Sequence, residues 1–166
     1  MIRTASADDL MTLKDMFWSH ISAHREYISH GELQMGVADM KVSGGKTEAG
    51  PSPDGERYWM KYISGKFSSP DAEIFVAEEG GKITGFCVTE ITEDGAKPFG
   101  VICDVLVDES SRGAGTGSRL LETALEWLRG RGIGDVYLES GKNNTAAHEF
   151  FMHRGFVHVS DIFRLA

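Results

Sequence analysis

The stretch VICDVLVDESSRGAGTGSRLL, residues 101–121, decides how this chain folds and what it holds. Its mostly apolar beginning predicts a strand from Val101 to Val107, and a short polar segment then leads to three glycines in residues 113–117. These glycines open an amphipathic helix, whose first N–H groups have no partner within the helix. Because glycines also let a ligand approach the backbone closely, the loop is suited to phosphate. Arg112 adds a fixed positive charge, and we expect a pyrophosphate ligand.

Other phosphate-binding loops share parts of this pattern. A dinucleotide-binding fold also places glycines between a strand and a helix, and Glu139 follows the next predicted strand, as an acidic ribose partner would. Against it, residues 108–112 separate the strand from the first glycine, and the spacing is G-x-G-x-G rather than G-x-G-x-x-G. A Walker-type loop is excluded because no G-K-[ST] ends the run. A glycine-rich turn without any ligand is the purely structural alternative.

Two motifs in this chain together resemble those of one enzyme family. The order R-x-x-G-x-G at residues 112–117, after a strand ending in Leu-Val-Asp, resembles the acetyl-CoA loop of the GNAT superfamily of N-acetyltransferases. The segment NTAAHEFFMHRGF at residues 144–156 resembles the later signature of that family, N-x-x-A-x-x-F-Y-x-x-x-G-F. The two motifs stand in the family's order, joined by a predicted helix and strand.

The resemblance implies a fold, an activity and a set of cofactor-binding residues. The fold is α/β (α+β): a mixed, mostly antiparallel central sheet flanked by helices, with a splayed strand whose backbone pairs with the pantetheine arm of acetyl-CoA. The activity is transfer of the acetyl group of acetyl-CoA to a primary amine of a small molecule or peptide, by direct attack on the thioester and without a metal. The cofactor-binding residues carried over are Val105, Leu106, Val107, Arg112, Gly113, Ala114, Gly115, Thr116, Gly117, Ser118, Asn144 and Phe151.

Acetyl transfer to an amine requires a base, because the acceptor must lose its ammonium proton before it attacks. Glu139 is the first candidate, since it ends the strand beside the expected cofactor cleft, although a structural hydrogen bond explains it equally well. Asp104 is the second candidate, because a charged residue inside so apolar a strand needs a partner or a purpose. Glu90, on the preceding strand, is the third.

The sequence departs from the family where a general acid is usual. Phe151 replaces the tyrosine of the F-Y pair, and a phenyl ring has no proton to give to the leaving thiolate. His148, His153 or water are the possible substitutes. The substitution keeps open a second function, an acyl-CoA-binding protein of the same fold with little turnover. A dinucleotide-binding enzyme is a third.

The composition favours one domain over residues 1–166 and an ordinary globular protein. With 17 basic and 25 acidic residues the net charge is −8, which disfavours nucleic acid and anionic membranes and favours a cationic amine. No apolar run is long enough to span a bilayer and the N-terminus lacks a signal-peptide pattern, so we expect a cytoplasmic protein. Its two cysteines, Cys87 and Cys103, suggest packed free thiols rather than a disulfide or metal site. A homodimer is possible through an exposed sheet edge.

The N-terminal half predicts a strand at residues 2–5, then a helix with an apolar stripe and with His20 and His24. These two histidines lack the further ligands of a zinc site. The family resemblance implies that this first helical region lines the acceptor side, which makes His20, His24 and Tyr27 candidates there. Residues 41–55, rich in Gly, Pro and Ser, predict a mobile loop, and residues 56–67 a helix. A hairpin turning at Gly80-Gly81 follows, and residues 156–165 are expected to supply a closing strand or pair of strands.

Overall fold

A computed structural model describes residues 1–165 of the chain. Its helices are α1 (Leu10–Ala23), α2 (His30–Met35), α3 (Gly55–Ser68), α4 (Thr116–Gly130) and α5 (Thr145–Met152). Its strands are β1 (Ile2–Thr4), β2 (Ala38–Ser43), β3 (Lys46–Pro51), β4 (Ala72–Glu79), β5 (Lys82–Thr92), β6 (Phe99–Val107) and β7 (Val136–Leu138). Short 3-10 turns cover Ala7–Asp9, Arg25–Tyr27 and Glu109–Ser111.

The main sheet has five strands in the order β1-β4-β5-β6-β7, and only the β6–β7 pair is parallel. This is the mixed, mostly antiparallel sheet that the sequence predicts. The parallel pair is joined through α4, the crossover connection that parallel neighbours require. The hairpin between β4 and β5 turns at Gly80 and Gly81, both with positive φ, as predicted.

The chain forms two compact units: Met1–Trp18 with Trp59–Glu139, and Ser19–Tyr58 with the residues from Ser140 on. The first unit contains the five-stranded sheet, on which α4 packs through an apolar face that is fully buried. The buried residues of that face are Leu120, Leu121, Ala124 and Leu128. Trp59 of α3 has no exposed surface, and its ring stacks on Phe17 of α1 at 4.7 Å between centroids. These contacts pack the part of α3 from Trp59 on within the first unit.

The second unit contains the β2–β3 hairpin, which corrects the expectation of a loop over residues 41–55. Ser43 pairs with Lys46 around a two-residue turn, Gly44-Gly45, and both glycines have positive φ. Such a pair of residues matches the twist of a two-residue hairpin. A Gly-Gly pair also forms the turn of the β4–β5 hairpin. At residues 44–45 the neighbouring Pro and Ser residues favoured the prediction of a loop instead.

The expected closing strand is also wrong. Residues 156–165 lie outside every strand and helix, and the large apolar side chains in this segment are mostly exposed. These are Val157, Val159, Ile162, Phe163 and Leu165. An apolar pattern favours a strand only where a neighbouring edge supplies the hydrogen bonds, and within residues 1–165 this segment joins no ladder.

Candidate functional site

A β-bulge in β6 determines which side chains gather on one face of the sheet. Val88 pairs with Asp104 whereas the next residue, Thr89, pairs with Ile102, so Cys103 is the extra residue. A bulge interrupts the alternation of side chains along a strand. Consequently the consecutive residues Cys103 and Asp104 both lie among groups of β5 and α3.

Three polar contacts join β5, β6 and α3 at this bulge. The Tyr62 hydroxyl donates a hydrogen bond to Oδ2 of Asp104 at 2.6 Å. The Cys103 thiol lies 3.6 Å from Oε1 of Glu90, and Oε2 of Glu90 forms an ion pair with Lys66 of α3. We call these five residues the bulge cluster. It accounts for the charged residues that the sequence places inside two apolar strands.

The electrostatics of the bulge cluster keep its neutral groups protonated. Burial, together with the negative charge of Asp104, raises the pKa of Tyr62 well above its ordinary value. Burial, followed by the charge of Glu90, also raises the pKa of the Cys103 thiol. The phenol is therefore a hydrogen-bond donor throughout the physiological range, and the thiol is a poor nucleophile.

The C-terminal part of β6 has an open edge on the side away from β5. Within the described chain, β7 pairs only with Gly100, Val101 and Ile102, whereas β6 continues to Val107. The N–H of Asp108 donates to Thr84 at 2.9 Å on the β5 side. Because backbone groups alternate along a strand, those of Val105 and Val107 face the open edge.

Leu106, the remaining β6 residue carried over from the family, faces β5 rather than the open edge. Leu106 pairs with Phe86 of β5, and its side chain is buried. Val105 and Val107 are thus the two positions whose backbone groups are directed toward the open edge of β6.

The glycine loop follows this open edge directly. Asp108 accepts a hydrogen bond from the N–H of Ser110 and so caps the 3-10 turn that precedes the loop. Gly113 and Gly115 have φ of 82° and 76°, a left-handed conformation that favours glycine, and a Cβ atom added at either would meet nothing within 4 Å. Their outer side is therefore open to a ligand.

Helix α4 begins immediately after the glycine loop. The N–H of Arg119 bonds the carbonyl of Gly115 at 3.1 Å, so the N–H groups of Thr116 and Gly117 precede the first helical hydrogen bond. Arg112 donates from Nε to the Val107 carbonyl at 3.2 Å, which holds its guanidinium between the open edge and the loop. Backbone donors and a cation at one helix start are the groups that favour binding of an anion.

The first-choice base, Glu139, directly follows β7 and is exposed. Asp104 is half-buried and accepts the hydrogen bond from Tyr62 described above. Both belong to the first unit, together with the open edge and the glycine loop.

Asn144 and Phe151 belong to the second unit. Asn144 caps α5 by accepting from the N–H of Ala147 at 3.3 Å. Phe151 is half-buried, with ring centroids 5.2 Å from Phe150 and 5.8 Å from Phe156. These aromatic contacts pack Phe151 within its own unit.

The remaining histidine candidates are also in the second unit. The His148 ring lies 3.0 Å from the Gly141 carbonyl, and the His153 ring lies 2.7 Å from the Glu149 carbonyl. The rings of His20, His24 and Tyr27 form one aromatic group, with centroids 5.0–5.8 Å apart. Within residues 1–165 no group of His, Cys, Asp or Glu is arranged to hold a metal ion.

Tyr62 and Lys66 are not among the residues predicted from the sequence, because the pattern of residues 56–67 predicts a helix and no functional group on it. Trp59 is indeed core, whereas the hydroxyl of Tyr62 binds Asp104. The signal available was the pair of carboxylates inside β5 and β6, because charged groups in apolar strands require partners. Tyr62 and Lys66 are four residues apart and so share a helix face.

Comparison with known proteins places these features in a family. Residues 45–156 match the family model described as "Acetyltransferase (GNAT) family". A mycothiol acetyltransferase of Thermobispora bispora is 36% identical over 88 residues, which cover 51% of this chain and 30% of that enzyme. The ribosomal protein bS18-alanine N-acetyltransferase of Escherichia coli is 30% identical over 82 residues, 49% of this chain and 53% of that enzyme. The aligned part is thus between about a third and a half of these relatives.

Solved structures share the fold at low identity. A predicted acetyltransferase of Clostridium acetobutylicum, solved with acetyl-CoA, has a TM-score of 0.69 at 16% identity, over 100% of this chain and 95% of that one. An aminoglycoside 6'-N-acetyltransferase of Acinetobacter haemolyticus has a TM-score of 0.69 at 12% identity, over 100% of this chain and 97% of that one.

No helix in residues 1–165 has the length and apolar character needed to cross a membrane.

Proposed function

The chain belongs to the acetyltransferase (GNAT) family, and from that premise we propose that it transfers an acetyl group from acetyl-CoA to a primary amine of a small molecule or peptide. One observation carries the proposal: the open edge of β6 beyond Ile102 runs directly into the glycine loop at the start of α4. An extended edge of backbone donors and acceptors suits the amides of a pantetheine arm. The anion site that follows suits the diphosphate.

Some of the proposed cofactor-binding residues are supported by the geometry of the structure, and the others only by the family signature. The backbone of Val105 and Val107 supports pairing with the pantetheine arm, and residues 112–117 support binding of the diphosphate. Leu106, Ser118, Asn144 and Phe151 are carried over from the family signature alone and stay predictions. No metal enters the proposed reaction.

The proposed chemistry needs three groups. A carboxylate, Glu139 or Asp104, takes the ammonium proton so that the neutral amine can attack the thioester carbonyl. A backbone N–H on the open edge of β6 stabilises the charge that develops on the carbonyl oxygen. The N–C bond forms, the C–S bond breaks, and the nitrogen gives its second proton to water. The thiolate takes a proton from water because Phe151 has none to give. A thiol pKa of about 8.5 makes this leaving group tolerable near neutral pH.

A second candidate function, acyl-CoA binding with little turnover, is favoured by Phe151. In this alternative the loop and the open edge have the same roles, and only the transfer step is slow. The acceptor in the first proposal is a cationic amine, which the net charge of −8 favours. The names of the relatives described above refer to different acceptors. The acceptor proposed for this chain is therefore the class of primary amines.

Calorimetry with acetyl-CoA, combined with a thiol-release assay, tests the proposal. The amine panel contains spermidine, lysine, an alanine-initiated peptide and sisomicin. Saturable binding with amine-dependent release of thiol is the expected result. Binding without release from any amine would favour the acyl-CoA-binding alternative. Tight binding of NAD with none of acetyl-CoA would overturn both.

A further inference from the structure

We propose that Tyr62 of α3 is a positioning residue for Asp104, and that Asp104, held in this way, takes the proton from the acceptor amine. This inference rests on the proposed function, because it assigns the base of the same reaction. Neither Tyr62 nor its bond to Asp104 follows from the two sequence motifs. It emerges from the side-chain contacts at the β6 bulge.

The first support is the rigidity of the phenol. The ring of Tyr62 lies edge-on to Trp59 at 6.0 Å, and Trp59 is fully buried and stacked on Phe17. Nζ of Lys66 also lies 5.5 Å from the ring centroid of Tyr62. A ring held by these contacts directs its O–H at Oδ2 of Asp104, at 2.6 Å. The bond therefore sets the orientation of the carboxylate.

The second support is the position of Asp104 in the strand. The bulge at Cys103 changes the alternation of side chains, so Asp104 lies on the face of α3. The next residue, Val105, directs its backbone groups to the open edge where the thioester is proposed to lie. The proposed base and the proposed carbonyl site are therefore on adjacent residues.

The third support is the charge balance of the bulge cluster. The titratable groups near Asp104 include Tyr62 from α3, Cys87 from β5 and Cys103 beside it on β6, and the Lys66–Glu90 pair lies next to Cys103. Lys66 is paired with Glu90, so its charge is committed to that carboxylate. The two thiols are neutral because burial raises the pKa of both. The Tyr62 hydroxyl therefore holds Asp104 as a neutral donor, and a phenol adds no positive charge of its own that would oppose protonation of the carboxylate.

The test compares Tyr62→Phe with Tyr58→Phe, which removes a phenol from the same helix outside the bulge cluster. Tyr62→Phe keeps the ring contacts and deletes one donor to a charged acceptor, so we expect kcat/KM for the fastest amine of the panel to fall about tenfold or more. The acidic limb of the pH profile should move to higher pH, because the lost bond favoured the charged carboxylate. The acetyl-CoA affinity should not change, and Tyr58→Phe should match the wild type.

Two further measurements separate positioning from a merely structural role. In an Asp104→Asn background, Tyr62→Phe should have no additional effect, because its action passes through Asp104. With hydroxylamine as acceptor, which is already neutral near neutral pH, both single variants should approach the wild-type rate.

The contradicting outcomes are distinct. If the wild type transfers acetyl groups but Tyr62→Phe keeps its rate and pH profile, the inference fails alone. Loss of activity in Glu139→Gln with full activity in Asp104→Asn would also overturn it while leaving the transferase proposal intact. If the wild type releases thiol neither with any amine of the panel nor with hydroxylamine, the proposed function fails, and this inference fails with it.

Discussion

Asp9 is a buried carboxylate that ties the N-terminal strand to the start of α1. Its Oδ2 accepts from the N–H of Ser6 at 2.7 Å, from the Ser6 hydroxyl at 3.0 Å and from Arg3 at 2.7 Å. Arg3 in turn binds Glu78 of β4 at 2.8 Å. These bonds, that of Arg3 first, lower the pKa of Asp9 from 3.8 to about 2. The charged form of Asp9 therefore stabilises the fold.

Replacing Asp9 with Asn is expected to lower the free energy of unfolding by about 1–2 kcal/mol at neutral pH, since a capping and an ionic contact are lost. The direction of the pH dependence follows from the lowered pKa of Asp9. The contribution is complete above the unfolded-state value of 3.8 and disappears as the pH falls toward about 2. Denaturant unfolding across this range should show the two proteins converging in acid.

The control for this substitution is Asp8→Asn, on the exposed side of the same turn. It should change stability by less than about 0.5 kcal/mol. A constant difference between wild type and Asp9→Asn at every pH would contradict the assigned ion pair.

Gly115 offers a matched pair of substitutions for the proposed diphosphate site. Asn and Asp both tolerate its φ of 76°, and open space surrounds the added Cβ atom. Gly115→Asp places a negative charge against the diphosphate and should weaken acetyl-CoA binding at least about tenfold more than Gly115→Asn, with the difference shrinking in high salt. Calorimetry in low and high salt provides the measurement. Equal affinities of the two variants would place the diphosphate elsewhere.

At the scale of the elements, β5 and β6 approach each other closely because Gly85 has no side chain. A Cβ atom there would lie 2.8 Å from the carbonyl oxygen of Leu106 and 3.1 Å from the side chain of Leu120 in α4. The backbone oxygen belongs to a paired strand and cannot move aside cheaply. Gly85 therefore sets the spacing of the strand that carries the open edge.

Gly85→Ala is expected to destabilise the protein by about 1–3 kcal/mol, as overpacking in a core does. The matched change is Gly65→Ala in α3, where nothing lies within 4 Å of the added Cβ atom. That variant should gain about 0.5–1 kcal/mol, because alanine restricts the unfolded chain and favours a helix. Chemical denaturation of both variants tests the pair, and a neutral Gly85→Ala would show that β5 and β6 can separate.

At the scale of the whole molecule, charge is the property that most constrains partners. A net charge of −8 repels other polyanions at long range. The proposed anion site must therefore attract its ligand by local donors, namely the loop N–H groups and Arg112. This contrast separates a small phosphate ligand from a nucleic acid.

We accordingly expect that the protein does not shift a DNA duplex in an electrophoretic mobility assay at low salt, whereas it binds acetyl-CoA under the same conditions. Fluorescence anisotropy of a labelled duplex gives a second reading. Binding of DNA that weakens steeply with salt would contradict the prediction and would point to a basic surface that the net charge conceals.

In the C-terminal segment, residues 156–165, the sequence pattern and the observed structure differ. Val157 and Val159 alternate with polar residues as in a strand, yet both are exposed. Similarly, the β2–β3 hairpin formed where the residue types predicted a loop. In both cases hydrogen-bond partners decided the structure, and residue type along the chain does not report where partners lie.

By itself, the sequence determined those features that depend on neighbouring residues: the strand ending at Val107, the glycine loop at residues 112–117 and the family they indicate. Such features follow from backbone conformation and short-range hydrogen bonds, which local residue types control. Only the tertiary structure decided that β6 bulges at Cys103 and that Tyr62 binds Asp104, 42 residues away. Strand register and helix docking depend on packing between distant segments, because those contacts form only when the whole unit is assembled.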